Sequence, residues 1–321
     1  MPGLGIISNP FAKINKRDPE HNTLMWYILG NRGQFEITNS LQDLSRVCDE
    51  FFARGLDTVG IVGGDGTISL TLSALAQAYP ADQLPRILVL RGGTVNVLAS
   101  NLGIFGKPKD VFADALEAYH TPNGLSHMSL QTLKVNGRLG FIFADGVAAR
   151  FLNEFYKIKS STLGAGIFLG KVLADGALAG HLNGAYRQLY LTERLTIDCK
   201  PHPWPHQNPA DVALIAASTI PKMPFGIRLF RRLNCKIPQA ELIAIKAGER
   251  ELPFRVLKAL LKQGKIDASI AQTHIFSEAV LTPSQTIEYS LDGDILEPTD
   301  QPIHLSLGPR FVFCSPYGNV L

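Results

Sequence analysis

The chain has 321 residues, of which 45% are hydrophobic, 18% charged and 8% aromatic. That length accommodates two domains of ordinary size, and the apolar fraction excludes wholesale disorder. A formal charge of +3, with no lysine-rich arm and no acidic tail, lacks the basic field of a protein that lives on nucleic-acid phosphates.

In chain order, Leu4-Gly5-Ile6-Ile7 reads as a short buried strand that ends at the polar turn Ser8-Asn9-Pro10. Asp18-Pro19-Glu20 places an N-cap residue before a proline, which predicts a helix running to about Leu29. Phe35 to Thr38 reads as a strand. Ser40 caps a segment whose Leu41, Leu44, Val47, Phe51 and Phe52 follow a helical period until Gly55. Val59 to Val62 is a compact apolar strand with glycines directly after it, and Ile68 to Ala78 is a run of good helix formers that stops before Pro80. Ile87 to Leu90 repeats the pattern of strand, glycines and short helix. Strands alternating with helices predict an α/β domain on a largely parallel sheet.

The texture changes after Pro122-Asn123-Gly124. Leu130 to Val135, Leu139 to Ala144, Leu189 to Thr196 and Val212 to Ala217 are short β-prone runs between turn residues. Thr273 to Phe276, Thr286 to Tyr289, His304 to Leu307 and Phe311 to Phe313 continue them. The expectation is a division into residues 1–124 and 125–321, the second part an antiparallel β domain whose last strand could return to the first.

Cys48, Cys199, Cys235 and Cys314 are far apart and form no C-x-x-C pair, which argues against a zinc ribbon or a disulfide framework and fits a reducing compartment. The first residues lack the features of a signal peptide. The most membrane-like stretch, Leu163 to Gly180, is broken by Lys171 and Asp175 and falls short of the ~20 apolar residues a spanning helix needs. The expected location is the cytoplasm, with any membrane contact peripheral.

Chemistry enters at Gly63-Gly64-Asp65-Gly66-Thr67, between a strand and a helix. Glycines let a backbone turn sharply and approach a ligand, and the N–H groups of a following helix favour an anion such as phosphate. An aspartate in such a loop repels phosphate unless it holds a metal ion, a ribose or a hydroxyl proton, so it points to a nucleotide site with magnesium. Arg91-Gly92-Gly93-Thr94-Val95-Asn96 repeats the strand-to-helix context one unit later. Parallel strands put both loops at the carboxyl edge of one sheet, where α/β proteins bind ligands. The competing reading is a pair of tight turns chosen for geometry alone. No G-x-x-x-x-G-K-[ST] loop and no H-R-D set of the protein kinases is present.

At these residues the sequence resembles the diacylglycerol kinase catalytic-domain family, which includes sphingosine kinases and bacterial lipid kinases. The matching stretches are Ser8-Asn9-Pro10, Gly63 to Thr67, Gly93-Thr94-Val95-Asn96-Val97-Leu98-Ala99 with Asn101-Leu102-Gly103-Ile104, and Asp292-Gly293-Asp294 late in the chain. The pentapeptide alone is shared with NAD kinases; the second loop makes the combination specific. The resemblance implies a Rossmann-like N-terminal nucleotide-binding domain, a C-terminal antiparallel β-sandwich and an active site in the cleft between them. It also implies transfer of the γ-phosphoryl group of ATP to a lipid hydroxyl, such as that of diacylglycerol or a sphingoid base.

Carried onto this sequence, Asn9, Gly63, Gly64, Asp65, Gly66, Thr67, Gly93, Thr94 and Asn96 would hold ATP, with Asp65 near its Mg2+ and Asp292 the general base. An alcohol attacking phosphorus must lose a proton, which a placed carboxylate can accept; read without the family, Asp292-Gly293 is a hairpin turn. The family often has an acid at the positions of Leu70 and Val97, and a glutamate at that of Asp294. Two other readings therefore stay open: a non-catalytic or retasked nucleotide- or lipid-binding protein, and an NAD kinase.

Lys222, Arg228, Arg231, Arg232 and Lys236 alternate with Met223, Phe225, Ile227, Leu229 and Phe230, as does an amphipathic basic helix at Arg255 to Lys262. Such stretches suit a lipid headgroup surface or a solvated loop whose apolar residues reach the core. Phe141 to Val147 resembles the acceptor-side stretch of the family and is also simply a good strand and turn. His202-Pro203-Trp204-Pro205-His206 reads as a loop, because prolines prevent helical presentation of the histidines. The partners expected are a lipid substrate and a membrane surface, not nucleic acid, and a homodimer is compatible with everything above.

Overall fold

The computed structural model describes residues 3–121, 124–157, 189, 191–223, 228–246 and 271–317. The expectations for Leu163 to Gly180, Arg255 to Lys262, Phe225 and Ile227 lie outside the described residues. The chain divides into two compact units, the first comprising residues 1–132, 138–140 and 308–321, the second residues 133–137 and 141–307.

The first unit opens with β1 (Gly3–Ser8), α1 (Lys13–Arg17), α2 (His21–Leu29), β2 (Gly33–Ile37), α3 (Leu41–Ala53) and β3 (Leu56–Gly63). It continues with α4 (Asp65–Ala78), β4 (Arg86–Arg91), α5 (Val97–Asn101) and α6 (Pro108–Tyr119). β1 pairs in parallel with both β2 and β3, and β3 with β4. Ile6, Ile7, Val59, Ile61, Val62 and Ile87 to Leu90 are all buried. Such unbroken apolar runs mark strands covered on both faces, as in a parallel sheet flanked by helices.

Helix α3 starts where Ser40 Oγ accepts the Asp43 N–H at 3.1 Å, while Asp43 Oδ2 accepts the Asn39 N–H at 3.1 Å. These are reciprocal caps that satisfy otherwise orphaned donors. The helix expected to run from Asp18 to about Leu29 is α2, which ends at Leu29 and starts at His21, and a short additional helix, α1, precedes it. Asp18 is extended and closes α1 with its N–H on the Ile14 carbonyl, and α2 starts after Glu20.

The second unit contains β7 (Ile142–Asp145), α7 (Val147–Lys157), β8 (Glu193–Lys200), β9 (Ala210–Val212), β10 (Leu214–Ser218), β11 (Ala240–Ile245), β12 (Ala271–Phe276), β13 (Glu278–Pro283), β14 (Tyr289–Leu291) and β15 (Asp294–Ile295). One antiparallel sheet has the order β12-β11-β10-β7-β14-β15. In a second set, β13 pairs antiparallel with β8, and β8 with β9. Phe143, Ile215, Leu242 and Leu291 from the first sheet and Leu195, Ile197, Ala279 and Leu281 from the second share one buried core. Two sheets enclosing one core make a β-sandwich.

Three strands belong to the ends of these stretches. β5 (Ser126–Val135) and β6 (Arg138–Gly140) precede β7, and β16 (Ile303–Ser315) closes the chain. The two runs expected at His304 to Leu307 and Phe311 to Phe313 are this single strand. Its residues 303–307 fall in the second unit and pair antiparallel with β13. Phe313 and Cys314, in the first unit, pair in parallel with Ile87 and Leu88.

Strands β11 and β13 and helix α7 are additions to the sequence analysis, and β8 lies a few residues later than expected. Helix α7 begins at a tight corner. Gly146 has φ +59°, and a Cβ there would sit 2.3 Å from the Ala213 carbonyl oxygen. Gly146→Ala should therefore destabilise the second unit by at least about 1–3 kcal/mol, read as a lower urea midpoint with an unchanged slope; wild-type stability would show that the corner tolerates a side chain.

Candidate functional site

In the first unit, β3 ends at Gly63 and α4 begins at Asp65, with Gly64 as an N-cap that has no side chain to offer. The first-turn N–H groups of α4 are therefore not closed by a capping side chain, which leaves donors and positive helix-end potential for an anion. One strand further on, β4 ends at Arg91 and Gly92 to Asn96 lead into α5.

The loops pack backbone against backbone. The Gly92 N–H donates to the Gly63 carbonyl at 2.7 Å. A Cβ on Gly92 would lie 2.9 Å from Gly63 Cα, and one on Gly93 2.6 Å from Gly64 Cα. These glycines are thus required by loop-to-loop contact itself.

Asp65 fastens the pair. Its Oδ2 accepts the Val97 N–H at 3.0 Å and its Oδ1 the Leu98 N–H at 3.1 Å. The carboxylate caps the helix that follows the second loop. Burial pushes this carboxyl up from its ordinary value, and the Leu98 and Val97 amides pull it back. Sequence analysis weighed a metal, a ribose or a hydroxyl proton as the partner; backbone amides were not considered.

The remaining expected residues join this cluster. Asn9 Nδ2 donates to Thr67 Oγ1 at 2.8 Å, fixing that hydroxyl in the first turn of α4. Asn96, with φ +54°, closes a ring on Gly93: its Oδ1 accepts the Gly93 N–H and its Nδ2 donates to the Gly93 carbonyl, both at 3.0 Å. Gly66 lies in the first turn of α4. Thr94 is exposed, and its Oγ1 accepts from Lys13 Nζ at 3.3 Å. Lys13 is the functional candidate that sequence reasoning missed. It follows the Ser8-Asn9-Pro10 turn closely, and that proximity was the available signal.

Asp292 belongs to the second unit. Asp292 and Gly293 have φ +52° and +88° between β14 and β15, and Leu291 faces Asp294. This is the two-residue hairpin that D-G favours. The same carboxylate is held by the start of β7: Oδ1 accepts from the Phe141 and Ile142 N–H groups at 3.0 and 2.9 Å, and Oδ2 from Phe141 at 3.1 Å. Tyr156 Oη donates to the Gly293 carbonyl at 2.8 Å. The turn and the positioned carboxylate are one feature.

Asp145 ends β7 and is fully buried, with Oδ1 accepting the Ile215 N–H and Oδ2 unpaired. Burial, and secondly the charge of Glu193, hold its carboxyl well above the ordinary carboxylate range. Arg150 of α7 pairs instead with the buried Glu193. Trp204, in the His202 to His206 loop, is buried edge-on to His206 and His274, at centroid distances of 5.0 and 6.0 Å. Among the described residues, no group of three histidine, cysteine or acidic side chains is arranged to hold a metal ion.

Asp65→Ala should lower stability by about 1–2 kcal/mol and speed amide exchange at Val97 and Leu98; unchanged exchange there would refute the capping role. For Asp145, a raised folded-state value means that the native chain keeps a proton which the unfolded chain releases above about pH 4. The stability penalty is then absent at low pH and grows as pH rises. Asp145→Asn should match wild type near pH 3 and exceed it increasingly toward pH 8 in urea titrations, whereas a constant difference would contradict this assignment.

Residues 4–126 match the family model described as the diacylglycerol kinase catalytic domain. Over 89 residues the chain is 34% identical to the "Probable lipid kinase YegS-like" of Stenotrophomonas maltophilia (strain K279a). That match spans 27% of this chain and 29% of the relative. The fold is similar to that of a "putative diacylglycerol kinase" from Bacillus anthracis str. Sterne, with TM-score 0.72 and 17% identity over 98% of this chain and 95% of that one. A second diacylglycerol kinase structure from the same organism gives TM-score 0.64 and 16% identity over 98% and 96%. The part of the chain that carries both glycine loops, residues 4–126, is thus similar to the diacylglycerol kinase catalytic domain.

Proposed function

We propose that the protein is a lipid kinase that transfers the γ-phosphoryl group of ATP to the hydroxyl of a lipid such as diacylglycerol or a sphingoid base. The observation that carries this reading is the paired loop cluster of the first unit. An α4 N-terminus without a capping side chain, two glycine loops in contact and Lys13 at Thr94 together suit a polyphosphate. Lys13 supplies the counter-charge and Thr67, oriented by Asn9, a hydroxyl donor. The similarity of residues 4–126 to the diacylglycerol kinase catalytic domain and the name of the curated relative support the lipid kinase reading.

In the transfer, the acceptor's oxygen forms a bond to the γ-phosphorus, the bond to the leaving ADP oxygen breaks, and the hydroxyl proton passes to a carboxylate. Asp292 is the proposed acceptor of that proton. Its orientation is held by the Phe141 and Ile142 amides, so little rearrangement is needed when the proton arrives. Because both Asp65 oxygens already accept amide N–H groups, a metal role for Asp65 competes with its role as a cap. With no three-ligand group among the described residues, a magnesium ion would depend mainly on phosphate and water oxygens. No described helix is long and apolar enough to cross a membrane; the contact with the lipid acceptor is proposed to be peripheral.

The same two observations, a committed Asp65 and no gathered acids among the described residues, favour the second reading of a non-catalytic nucleotide- or lipid-binding protein. Incubation with γ-labelled ATP and a panel of lipids and NAD separates the possibilities. Label should appear in a lipid, Asp292→Asn should lower the rate by about 10²–10⁴-fold, and Lys13→Ala should raise the KM for ATP. ATP binding without transfer to any acceptor would support the second reading, and label in NAD would overturn both.

A further inference from the structure

Helix α1 has only five residues, Lys13–Arg17, and its N-cap residue Ala12 makes no side-chain capping bond. A helix of that length does not hold together on its own in water, so its place depends on what it is tied to. Its ties run to the second glycine loop. The Ile14 N–H donates to the Gly92 carbonyl at 3.2 Å, and Lys13 Nζ donates to Thr94 Oγ1 at 3.3 Å. Just ahead of the helix the ties run to the first loop and its strand. The Asn9 N–H donates to the Val62 carbonyl at 3.1 Å, and Asn9 Nδ2 to Thr67 Oγ1 at 2.8 Å. Residues 9–14 thus form a strap that joins one loop to the other.

Asn15, the next residue, is buried at 8% exposure. Its Nδ2 donates twice, to the Asn9 carbonyl at 2.6 Å and to Ser8 Oγ at 3.1 Å. Ser8 in turn donates to Asn22 Oδ1 of α2 at 2.7 Å, so the start of the strap is also tied to that helix. A carbonyl can only accept, which fixes the amide with its nitrogen toward Asn9. Asn15 Oδ1 is thereby left buried with no partner among the described residues. A buried acceptor without a partner costs stability, and alanine at this helical position would remove that cost. Folding alone is therefore a poor reason for an asparagine here.

We propose that Asn15 is a positioning residue of the phosphate site: by holding the Asn9 carbonyl it sets the strap, and the strap presents the Thr67 hydroxyl and the Lys13 ammonium to one nucleotide polyphosphate. Thr67 Oγ1 receives the Asn9 side-chain N–H, so the hydroxyl proton is left to donate to an anionic oxygen. Lys13 adds a charged donor at the second loop. Asn15 contacts neither group and acts through the backbone on which Asn9 and Lys13 stand. This role rests on the reading that the loop pair binds a nucleotide.

The test is calorimetric titration of the full chain with ATP, paired with urea unfolding of the same samples. Asn15→Ala removes both donors and the unpaired oxygen. It orphans no other group, because the Asn9 carbonyl still accepts the Ala12 N–H at 3.0 Å and Ser8 still donates to Asn22. The Kd for ATP should rise about tenfold while the urea midpoint stays close to that of wild type. In a Lys13→Ala background the same change should weaken binding clearly less, since part of its effect runs through Lys13. Unchanged ATP affinity in Asn15→Ala would overturn the proposal. So would a loss of affinity that comes with a clear fall in the urea midpoint, the mark of a residue needed for folding alone, or a full loss retained in the Lys13→Ala background. A wild-type chain that binds no ATP would overturn the nucleotide reading itself and Asn15's role with it, so the wild-type titration tells the two failures apart.

Discussion

One carboxylate holds the candidate nucleotide site together. Asp65 sits in the first glycine loop and accepts the N–H groups of Val97 and Leu98, which open the helix after the second loop. Hydrogen bonds to a charged acceptor are worth about 1.5–3 kcal/mol each when they replace poorly solvated alternatives. They also complete a contact in which Gly92 and Gly93 lie too close to the Gly63 and Gly64 backbone to carry a side chain. With the loops joined, Asn9, Lys13, Thr67 and Thr94 are brought to one rim. Without the joint, each would sit on an independent turn.

The second unit repeats the device. Asp292 accepts the amides at the start of β7, and Asp145, at the end of the same strand, accepts the amide of Ile215. β7 is thus anchored at both ends by carboxylates bound to backbone donors. The difference lies in what surrounds the two acids. Asp292 is partly exposed in a hairpin, where a carboxylate can meet a substrate, whereas Asp145 is fully buried with one oxygen unpaired. An interior position raises the cost of charge, so Asp145 suits a structural role and Asp292 a chemical one.

Much of this was legible in the residues. The unbroken apolar runs at Leu4 to Ile7, Val59 to Val62 and Ile87 to Leu90 announced a parallel sheet, because only strands covered on both faces read that way. Ser40 and Asp43 announced the start of α3. Less legible was the second unit, where α7 was hidden behind a run that reads as strand and turn. Its corner depends on Gly146 meeting Ala213, a residue far along the chain. Lys13 carried only the weak signal of its nearness to the Ser8-Asn9-Pro10 turn, because its significance is the Thr94 hydroxyl, a residue far along the chain.

Composition and periodicity by themselves determined an α/β unit followed by a β unit, and the two glycine loops raised the expectation of a phosphate-bearing ligand. These properties are written locally, in the burial pattern of single strands and the conformational needs of single turns. Tertiary structure alone decided what each acid and each basic residue does. The partners of Asp65 lie more than thirty residues away, those of Asp292 about one hundred and fifty, and Met223 and Leu229 pack against a buried core that includes Leu214 and Ile243. A charged group's role is set by the donors, cations and water around it, and a folded chain draws those from parts of the sequence that no local pattern connects.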